Sequence, residues 1–334
     1  MASMKAVASF DGLPIDHPDA LVDVTIDVPE LRPHDVLVRV LAVSVNPVDM
    51  KRRQSLTPSQ TPTVLGFDAA GVVEAVGPQV TTLSPGDEVW YAGDVSRPGT
   101  NAELHAVDER IVSRKPTSLS FADAAALPLT TITAWESLFE RFGLSGDSTG
   151  DLLVVGAAGG VGSVMIQLAK ALTKVRVIAT ASREPSRAWV RQMGADEVVD
   201  HHDLANQAGQ VAPDGEAYLS PPHSRGKVET YANIVRPSGH INEIDEPEGL
   251  DLVGLKPKSI AWHWELMFTR PLFGYDMIAQ QKLLAATADL VDQQVIRTTV
   301  TKTISGLDAD SIREAHKDIE TGRTVGKVVV SHKN

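Results

Sequence analysis

The chain has 334 residues, a hydrophobic fraction of 43% and a formal net charge of −12 at pH 7. This length and composition are typical of a globular protein with two domains. The acidic balance argues against a nucleic-acid surface, and no run approaches the roughly 18 uninterrupted apolar residues of a membrane span. The absence of cysteine excludes disulfides, thiolate nucleophiles and zinc sites built on cysteine. We expect a cytoplasmic protein without nucleic-acid or membrane partners.

The N-terminal third of the chain is predicted to be rich in strands. Strands are predicted at Val36–Val45, at Gly71–Val76 and at Glu88–Tyr91, the last after the turn Ser84–Asp87. Turns interrupt these strands more often than helices do. The pattern therefore predicts a compact, barrel-like all-β domain.

From Phe121 the pattern changes to helices and alternating elements. A helix is predicted over Phe121–Phe142, and a doubly wound parallel sheet follows between Leu152 and Ile244. Its strands are predicted at Leu152–Val155, Val175–Thr180, Glu197–Val199, Tyr218–Leu219 and His240–Ile244, the last after a turn at Pro237–Gly239. After a helix at Tyr275–Gln294, a strand at Thr298–Ile304 is predicted to rejoin the N-terminal barrel, and Lys327–Val330 is the final strand.

A glycine-rich turn between the first strand of this series and the next helix predicts a dinucleotide site. Ala157, Gly159 and Gly162 occupy the three fingerprint positions, with alanine replacing the first glycine, and Gly160 and Val161 lie between them. Such a turn lets the backbone approach a pyrophosphate and lets the helix pack on the strand. The helix N-terminus then points free N–H groups at the phosphates. The alternative is a purely structural turn.

The end of the second strand favours NADPH over NADH. An NAD site usually has Asp or Glu there, which accepts from the ribose 2′-hydroxyl. This chain has Ala181, Ser182 and Arg183 instead, so a 2′-phosphate can bond the serine hydroxyl and pair with the guanidinium. A solvated arginine at the start of the next helix is the alternative.

The histidines do not predict a metal site. None of the ten has the spacing of a helical metal pair. His201 and His202 follow a predicted strand, where neighbours in sequence point to different sides. We therefore expect them to be an ordinary surface pair.

Several motifs, in the right order, resemble the medium-chain dehydrogenase/reductase superfamily, and within it the zinc-free quinone oxidoreductase branch. The motifs besides GAAGGVGS are VSVNPVDMKRR at 43–53, GFDAAGVVEAVG at 66–77, SPGDEVW at 84–90, AAALPLTTITAWESLF at 124–139, RQMGADEVVD at 191–200 and GRTVGKVVV at 322–330. The resemblance covers nearly the whole chain. It implies a GroES-like β-barrel domain, 1–125 plus 269–334, with an inserted Rossmann domain, 126–268, that binds NADPH. It also implies a homodimer.

The resemblance also bears on zinc. Zinc-dependent relatives place a cysteine where this chain has Asn46, and a His–Glu pair where it has Phe67 and Asp68. Without the thiolate and the imidazole, a catalytic zinc has no three-ligand cage. We therefore expect no metal.

Four further residues are candidates for the site. Asn46, nearest the missing metal, is predicted to donate to an acceptor oxygen, with Asp49 orienting its neighbours. A turn-forming Asn-Pro pair and a helix N-cap are the respective alternatives. Thr131 is expected at the nicotinamide amide, where helix capping is the alternative. Lys327 matches a basic position that contacts cofactor phosphate in similar proteins.

Together these residues predict an NADPH-dependent reductase of quinones or α,β-unsaturated carbonyls, acting by hydride transfer without metal. Its acceptor is a small carbonyl or quinone compound. Two alternatives stay open at this point: a zinc-dependent alcohol dehydrogenase, and a catalytically silent NADPH-binding sensor.

Overall fold

The computed structural model describes residues 2–221 and 224–332. The chain divides into two compact units: unit 1 is Met1–Leu129 with Phe268–Asn334, and unit 2 is Thr130–Met267. The domain boundaries expected from the sequence are 125/126 and 268/269. None of the helices in the described part of the chain is long and apolar enough to cross a membrane.

The N-terminal part of unit 1 consists mainly of strands. Its strands are β1 (Ser3–Ser9), β2 (Val22–Asp27), β3 (Asp35–Ser44), β4 (Thr63–Val64), β5 (Ala69–Val76), β6 (Glu88–Tyr91), β7 (Leu104–Asp108) and β8 (Val112–Arg114), and its helices are α1 (Pro47–Gln54) and α2 (Phe121–Ala125). Val36, Val38 and Val40 of β3 are fully buried, since β-branched side chains pack well on a pleated surface. The three strands predicted in this part are confirmed.

Unit 2 contains a parallel sheet flanked by helices. Its elements are α3 (Pro128–Trp135, which starts two residues before the unit), a π-helical segment (Glu136–Arg141), β9 (Asp151–Val154), α4 (Gly160–Leu172), β10 (Arg176–Thr180), α5 (Glu184–Met193), β11 (Glu197–Val199), α6 (Leu204–Val211), β12 (Glu216–Ser220), α7 (Val228–Ile234), β13 (Val235–Glu243) and β14 (Ala261–Trp264). The described strands run in the order β11-β10-β9-β12-β13-β14, all parallel. The predicted doubly wound sheet is confirmed, and its order reverses beside β9, where such sheets bind ligands at the carboxyl ends of the strands.

The prediction of one continuous helix over 121–142 is wrong. The chain forms α2, α3 and a π-helical segment in its place. Pro128 starts α3 because proline cannot donate a helical hydrogen bond but suits the first turn. Ser137 Oγ donates to Thr133 O over 2.6 Å within the π-helical region, and such wider turns often mark functional sites.

The predicted turn at Pro237–Gly239 is also wrong, because it lies inside a strand. β13 starts at Val235, and its register against β12 shifts on passing this stretch. Ser238 has a φ of 59°, so the extra residues bulge out and the strand continues beyond them.

The C-terminal part of unit 1 completes the sheet of the N-terminal part. Its elements are α8 (Thr269–Phe273), α9 (Ile278–Asp292), β15 (Val300–Ser305), α10 (Ala309–Glu320) and β16 (Lys327–Ser331). The larger sheet has the order β15-β16-β3-β5-β6-β8, with β7 also paired to β3, and a smaller sheet has the order β2-β1-β4. β16 runs antiparallel to β3, with Val329 opposite Ser44. The prediction that the segment near 298–304 rejoins the N-terminal strands is confirmed.

Candidate active site

A buried group of polar side chains lies in unit 1 where β3, β5 and β16 meet. Asn46, Asp49, Asp68 and Lys327 are each 0–3% exposed. Asn46 precedes α1, Asp49 lies in the first turn of α1, Asp68 directly precedes β5, and Lys327 is the first residue of β16. We call these four residues the Lys327 cluster.

Lys327 supplies the positive charge of this cluster. Its Nζ donates to Val45 O over 2.8 Å and to Asn46 Oδ1, and it lies 3.6 Å from Asp68 Oδ2. Burial lowers the pKa of Lys327, while the carboxylates of Asp68 and Asp49 raise it. The ammonium is therefore surrounded by three oxygens that compensate its desolvation.

Asp49 accepts hydrogen bonds from the backbone. Its Oδ2 accepts from Asn46 N over 2.7 Å, and its Oδ1 accepts from Gly66 N over 3.1 Å. Asp49 thus caps the start of α1 through the backbone N–H of the N-cap residue Asn46, and Asp49 N donates to Asn46 O over 3.0 Å. Burial raises the pKa of Asp49, and the Asn46 N–H and the Lys327 ammonium partly offset that rise. The capping alternative for Asp49 is thus present in the structure.

Asp68 is the best-connected carboxylate of the cluster. Its Oδ1 accepts from Leu129 N over 3.0 Å, and its Oδ2 accepts from Asn46 Nδ2 over 3.0 Å and Ser44 Oγ over 3.3 Å. Burial raises the pKa of Asp68 to about 6, with Lys327 as the largest opposing influence. This carboxyl therefore changes its charge close to neutral pH.

The structure gives the Asn46 side chain different partners from those expected. Its Nδ2 donates to Asp68 Oδ2 and, over 3.3 Å, to Ser44 O, while its Oδ1 accepts from Lys327. Both amide hydrogens are thus used, one by the Asp68 carboxylate and one by the Ser44 carbonyl. The geometry makes Asn46 the residue that joins Asp68 to Lys327. These contacts do not support the predicted donation from Asn46 to the oxygen of an acceptor substrate, which stays a prediction.

Lys327 also differs from the expectation. Sequence reasoning assigned it to a cofactor phosphate, yet its ammonium is enclosed among Val45, Asn46 and Asp68. Sequence reasoning named Asp68 only as the position of a glutamate in zinc-dependent relatives and missed its contact with Lys327. The signal that could have found this contact is a lysine at the head of the apolar run KVVV, since a lysine in a buried strand needs a partner.

The glycine-rich turn of unit 2 has the geometry that a pyrophosphate requires. Gly156 has a φ of 66°, and its N–H donates to Thr180 Oγ1 over 2.9 Å. Gly159 is the N-cap of α4, whose 13 residues start at Gly160. Val161 lies in the first turn. The predicted site residues Gly160, Val161 and Gly162 therefore supply the free N–H groups at the N-terminus of α4.

Gly162 has the packing role predicted for the third fingerprint position. A Cβ added to it would lie 2.6 Å from Ala157 Cα. Only glycine allows this approach of helix to strand.

The residues expected at a 2′-phosphate lie just after β10. Ser182 is half-buried, and Arg183 is exposed at the N-cap of α5. Arg187, which sequence reasoning missed, donates to Ala181 O over 3.0 Å and to Val198 O over 3.3 Å, beside the ends of β10 and β11. A second guanidinium thus lies in the same part of unit 2. The sequence contained a signal for it, because Arg187 follows Arg183 by four residues and that spacing places two side chains on one face of a helix.

Thr131 has an unsatisfied hydroxyl. The residue is fully buried in α3, and its Oγ1 lacks a hydrogen-bond partner in the structure. A buried hydroxyl without a partner is costly, which favours a ligand that completes it. A nicotinamide dinucleotide fits three features of unit 2: the Thr131 hydroxyl, the glycine-rich turn and the N-terminus of α4.

Comparison with known proteins places this geometry in a family. The model of the alcohol dehydrogenase GroES-like domain matches residues 32–117, and that of zinc-binding dehydrogenases matches residues 193–330. A zinc-type alcohol dehydrogenase-like protein of Staphylococcus epidermidis is 38% identical over 340 residues, covering 99% of this chain and 100% of the relative. The chain belongs to the medium-chain dehydrogenase/reductase superfamily. It is an oxidoreductase of a superfamily whose members bind nicotinamide cofactors.

Two plant enzymes of this superfamily are also similar to the chain. A 2-methylene-furan-3-one reductase of Solanum lycopersicum is 33% identical, covering 91% of this chain and 73% of the relative. A chloroplastic NADPH-dependent alkenal/one oxidoreductase of Arabidopsis thaliana is 44% identical over 186 residues, covering 52% of this chain and 47% of the relative.

Solved structures share the fold along the whole chain. A candidate zinc-dependent alcohol dehydrogenase from Rhizobium etli CFN 42 is 44% identical with a TM-score of 0.95, covering 100% of this chain and 99% of its own. A quinone oxidoreductase from Pseudomonas syringae pv. Tomato DC3000 is 26% identical with a TM-score of 0.84, covering 98% and 99%. The GroES-like domain with an inserted Rossmann-type sheet is thereby confirmed.

The zinc that some of these names imply does not fit the residues of the Lys327 cluster. Phe67, at the position of a histidine ligand, is 2% exposed and packs edge-on against Phe268 with ring centroids 5.5 Å apart. Asn46 and Asp68 offer oxygen atoms that already surround an ammonium. The cluster has neither the thiolate nor the imidazole that zinc sites combine with carboxylates, and a second cation here would be repelled by Lys327.

One group of side chains in the described residues does have the spacing for a metal ion. Ligand atoms of Asp200, His201 and His202, just after β11, all lie within 4.8 Å of one another. The two histidines are exposed as predicted. The prediction that they point to different sides is wrong, because their ring centroids are 4.1 Å apart, a consequence of the 3₁₀ turn that replaces the extended strand there.

Proposed function

We propose that the protein is an NADPH-dependent reductase of quinones or α,β-unsaturated carbonyls that works without zinc. The observation that carries the metal-free part is the Lys327 ammonium, which lies among Val45 O, Asn46 Oδ1 and Asp68 Oδ2. A buried cation of the protein's own thus neutralises the carboxylate at the position that zinc-dependent relatives use for metal binding. The names of the tomato, Arabidopsis and Pseudomonas relatives support the acceptor class.

The cofactor is proposed to bind along the carboxyl edge of the sheet in unit 2. Gly159, Gly160, Val161 and Gly162 would hold the pyrophosphate with Ala157 behind them. When bound, NADPH supplies the hydride.

Two further groups of residues would fix the ends of the cofactor. Ser182 and Arg183 would hold the 2′-phosphate, because a guanidinium pairs well with a phosphate dianion and neither residue repels it. Thr131, through its unsatisfied hydroxyl, would bond the nicotinamide amide.

The Lys327 cluster is proposed to keep a proton available near neutral pH. Adding a hydride to an enone or quinone leaves negative charge on oxygen, which must be stabilised and then protonated. Asp68, with its pKa raised to about 6, binds and releases a proton in the range where such an enzyme works. Lys327 and Asn46 hold the Asp68 carboxyl in place while its charge changes. We also propose that the protein is a homodimer, as the family resemblance implies.

The test is NADPH oxidation by chelator-treated protein against a panel of quinones and enones, with NADH in parallel. We expect turnover that survives chelation and prefers NADPH. Arg183→Ala should raise KM for NADPH about tenfold and leave that for NADH unchanged, since about 1.4 kcal/mol corresponds to a tenfold change. Arg191→Ala, at an exposed position on the same helix, is the matched control.

Two results would contradict the proposal. Turnover that disappears with chelator and returns with zinc would indicate the zinc-dependent alcohol dehydrogenase. Tight NADPH binding without turnover of any acceptor would indicate the silent sensor.

A further inference from the structure

Unit 2 contains a second buried acidic group that the proposed reaction does not use. Glu136 starts the π-helical segment, Arg141 ends it, and Glu265 directly follows β14. The side chains of Glu136 and Glu265 are 1% and 0% exposed, and that of Arg141 is 30% exposed. Two buried acids therefore face one partly exposed cation.

The charges of these side chains require a proton. Arg141 Nε donates to Glu265 Oε2 over 2.8 Å, and Arg141 Nη2 lies 3.9 Å from Glu136 Oε2. Glu265 Oε1 is buried and has no hydrogen-bond partner in the structure. Two buried carboxylates carry one more charge than Arg141 balances, so the group is neutral only when one of the carboxyls is protonated.

We propose that Glu136 and Glu265 share one proton and, with Arg141, form a neutral clasp that positions α3, and with it Thr131, at the carboxyl edge of the sheet in unit 2. With one proton, the pair carries a single negative charge that Arg141 balances. The clasp itself is independent of the proposed function, and its effect on cofactor affinity rests on that proposed function.

The clasp connects the two segments by which the chain enters and leaves unit 2. Glu265 N donates to Glu243 O over 2.9 Å, which fixes Glu265 beside the end of β13. A second tie joins the same two elements, because Asn242 Nδ2 donates to Ser137 Oγ over 2.9 Å. Thr131 lies five residues before Glu136 on the same continuous helical stretch, so the clasp limits how far Thr131 can shift.

The charged groups around Glu265 indicate how pH acts on the clasp. Burial raises the pKa of Glu265, the nearby Glu136 raises it further, and Arg141 opposes the rise. Glu243, on β13, is a further buried acid. On β14, burial, His240 and Arg141 lower the pKa of His263, which keeps that ring neutral. The protonated pair is thus stable at neutral pH, and alkaline pH ionises it and leaves two negative charges against Arg141.

The experiment measures the proton and its effect separately. Infrared difference spectra at pH 7 between the wild type and Glu265→Gln should show the C=O stretch of a protonated carboxylic acid in the wild type only. NADPH affinity, measured by fluorescence titration, should fall about threefold or more between pH 7 and pH 9.5 in the wild type. Glu265→Gln keeps a neutral donor toward Glu136, so its affinity should stay nearly constant over this range.

Controls and contrary outcomes distinguish the two proposals. Glu140→Gln changes an exposed acid of the same π-helical segment and should follow the wild type. Glu136→Gln is the second variant if Glu265→Gln does not fold, and it should also remove the infrared band. A wild type without the band, or a Glu265→Gln variant with the same alkaline loss of affinity, overturns the clasp. A protein that shows the band but does not bind NADPH overturns the proposed function and the cofactor effect, while the shared proton stands.

Discussion

The two units bury acidic pairs of similar composition and neutralise them differently. In unit 1, Asp49 and Asp68 lie beside the fully buried Lys327, and backbone N–H groups of Asn46, Gly66 and Leu129 donate to them. In unit 2, Glu136 and Glu265 face Arg141, whose side chain is 30% exposed. The first pair is stabilised by fixed dipoles and an ammonium, the second by a shared proton.

The difference comes from chain position. Asp49 and Asp68 lie at ends of elements, at the start of α1 and before β5, where backbone N–H groups have no partner within the element. Glu136 lies inside a continuous helical stretch whose N–H groups are already used. A buried acid without spare backbone donors has to keep its proton or find a cation.

The largest expected effect is that of Lys327→Met. Because it leaves two buried carboxyls without their ammonium, we expect the free energy of unfolding at pH 7 to fall by about 3–5 kcal/mol. Urea denaturation followed by circular dichroism measures this. Lys302→Met removes an exposed lysine, 43% accessible, from its ion pairs with Glu314 and Asp318, and should cost less than about 1 kcal/mol. A loss for Lys327→Met as small as that of the control would show that the ammonium does not stabilise the cluster.

Arg141→Met should cost less, about 1–2 kcal/mol, because the proton-sharing pair carries one charge and water screens the partly exposed guanidinium. The same urea measurement at pH 7 applies, with Arg225→Met as control, since Arg225 is 76% exposed in its ion pair with Glu248. Equal losses for Arg141→Met and Lys327→Met would remove the distinction between the two units.

The smallest effect is a pH dependence in unit 1. The pKa of Asp68 is raised from 3.8 to about 6, so its protonated form favours the folded state. The stability that this group contributes is complete below pH 3.8 and is lost as pH rises through about 6. Between pH 7 and pH 5 the free energy of unfolding should therefore rise by about 1 kcal/mol through this group. Asp68→Asn should lack that rise, and Asp147→Asn, at a position 93% exposed, should keep it. An identical slope in all three proteins contradicts the assignment.

Local patterns predicted the fold of unit 2 well. The turn from Ala157 to Gly162 needs only neighbouring residues to define it, and the parallel arrangement of the strands in unit 2 follows from alternating strands and helices. There are two exceptions, the interrupted helix at Pro128 and the bulge at Ser238. At both places the sequence contains residues typical of turns or of helix ends, and such residues are compatible with more than one local structure.

The Lys327 cluster could be predicted only in part. Asn46 was recognised because it stands where zinc-dependent relatives have a cysteine, and Asp49 because it lies three residues further on and can orient its neighbours. The contact between Asn46 and Lys327 spans 281 positions in the sequence, and that between Arg141 and Glu265 spans 124. A single sequence contains no signal for such pairings beyond the fact that a buried charge needs a partner.

The pairing of β16 with β3 has a consequence for synthesis on the ribosome. Unit 2 is one continuous stretch, Thr130–Met267, and can fold as soon as it has emerged, whereas unit 1 waits for Phe268–Asn334. Until the last strand arrives, β3 has an open edge and the carboxylates of Asp49 and Asp68 lack their ammonium. Once Met267 has emerged, the nascent chain therefore has one finished unit and one unfinished unit, and a truncation that removes only the final strand would leave the unfinished one exposed to chaperones and proteases.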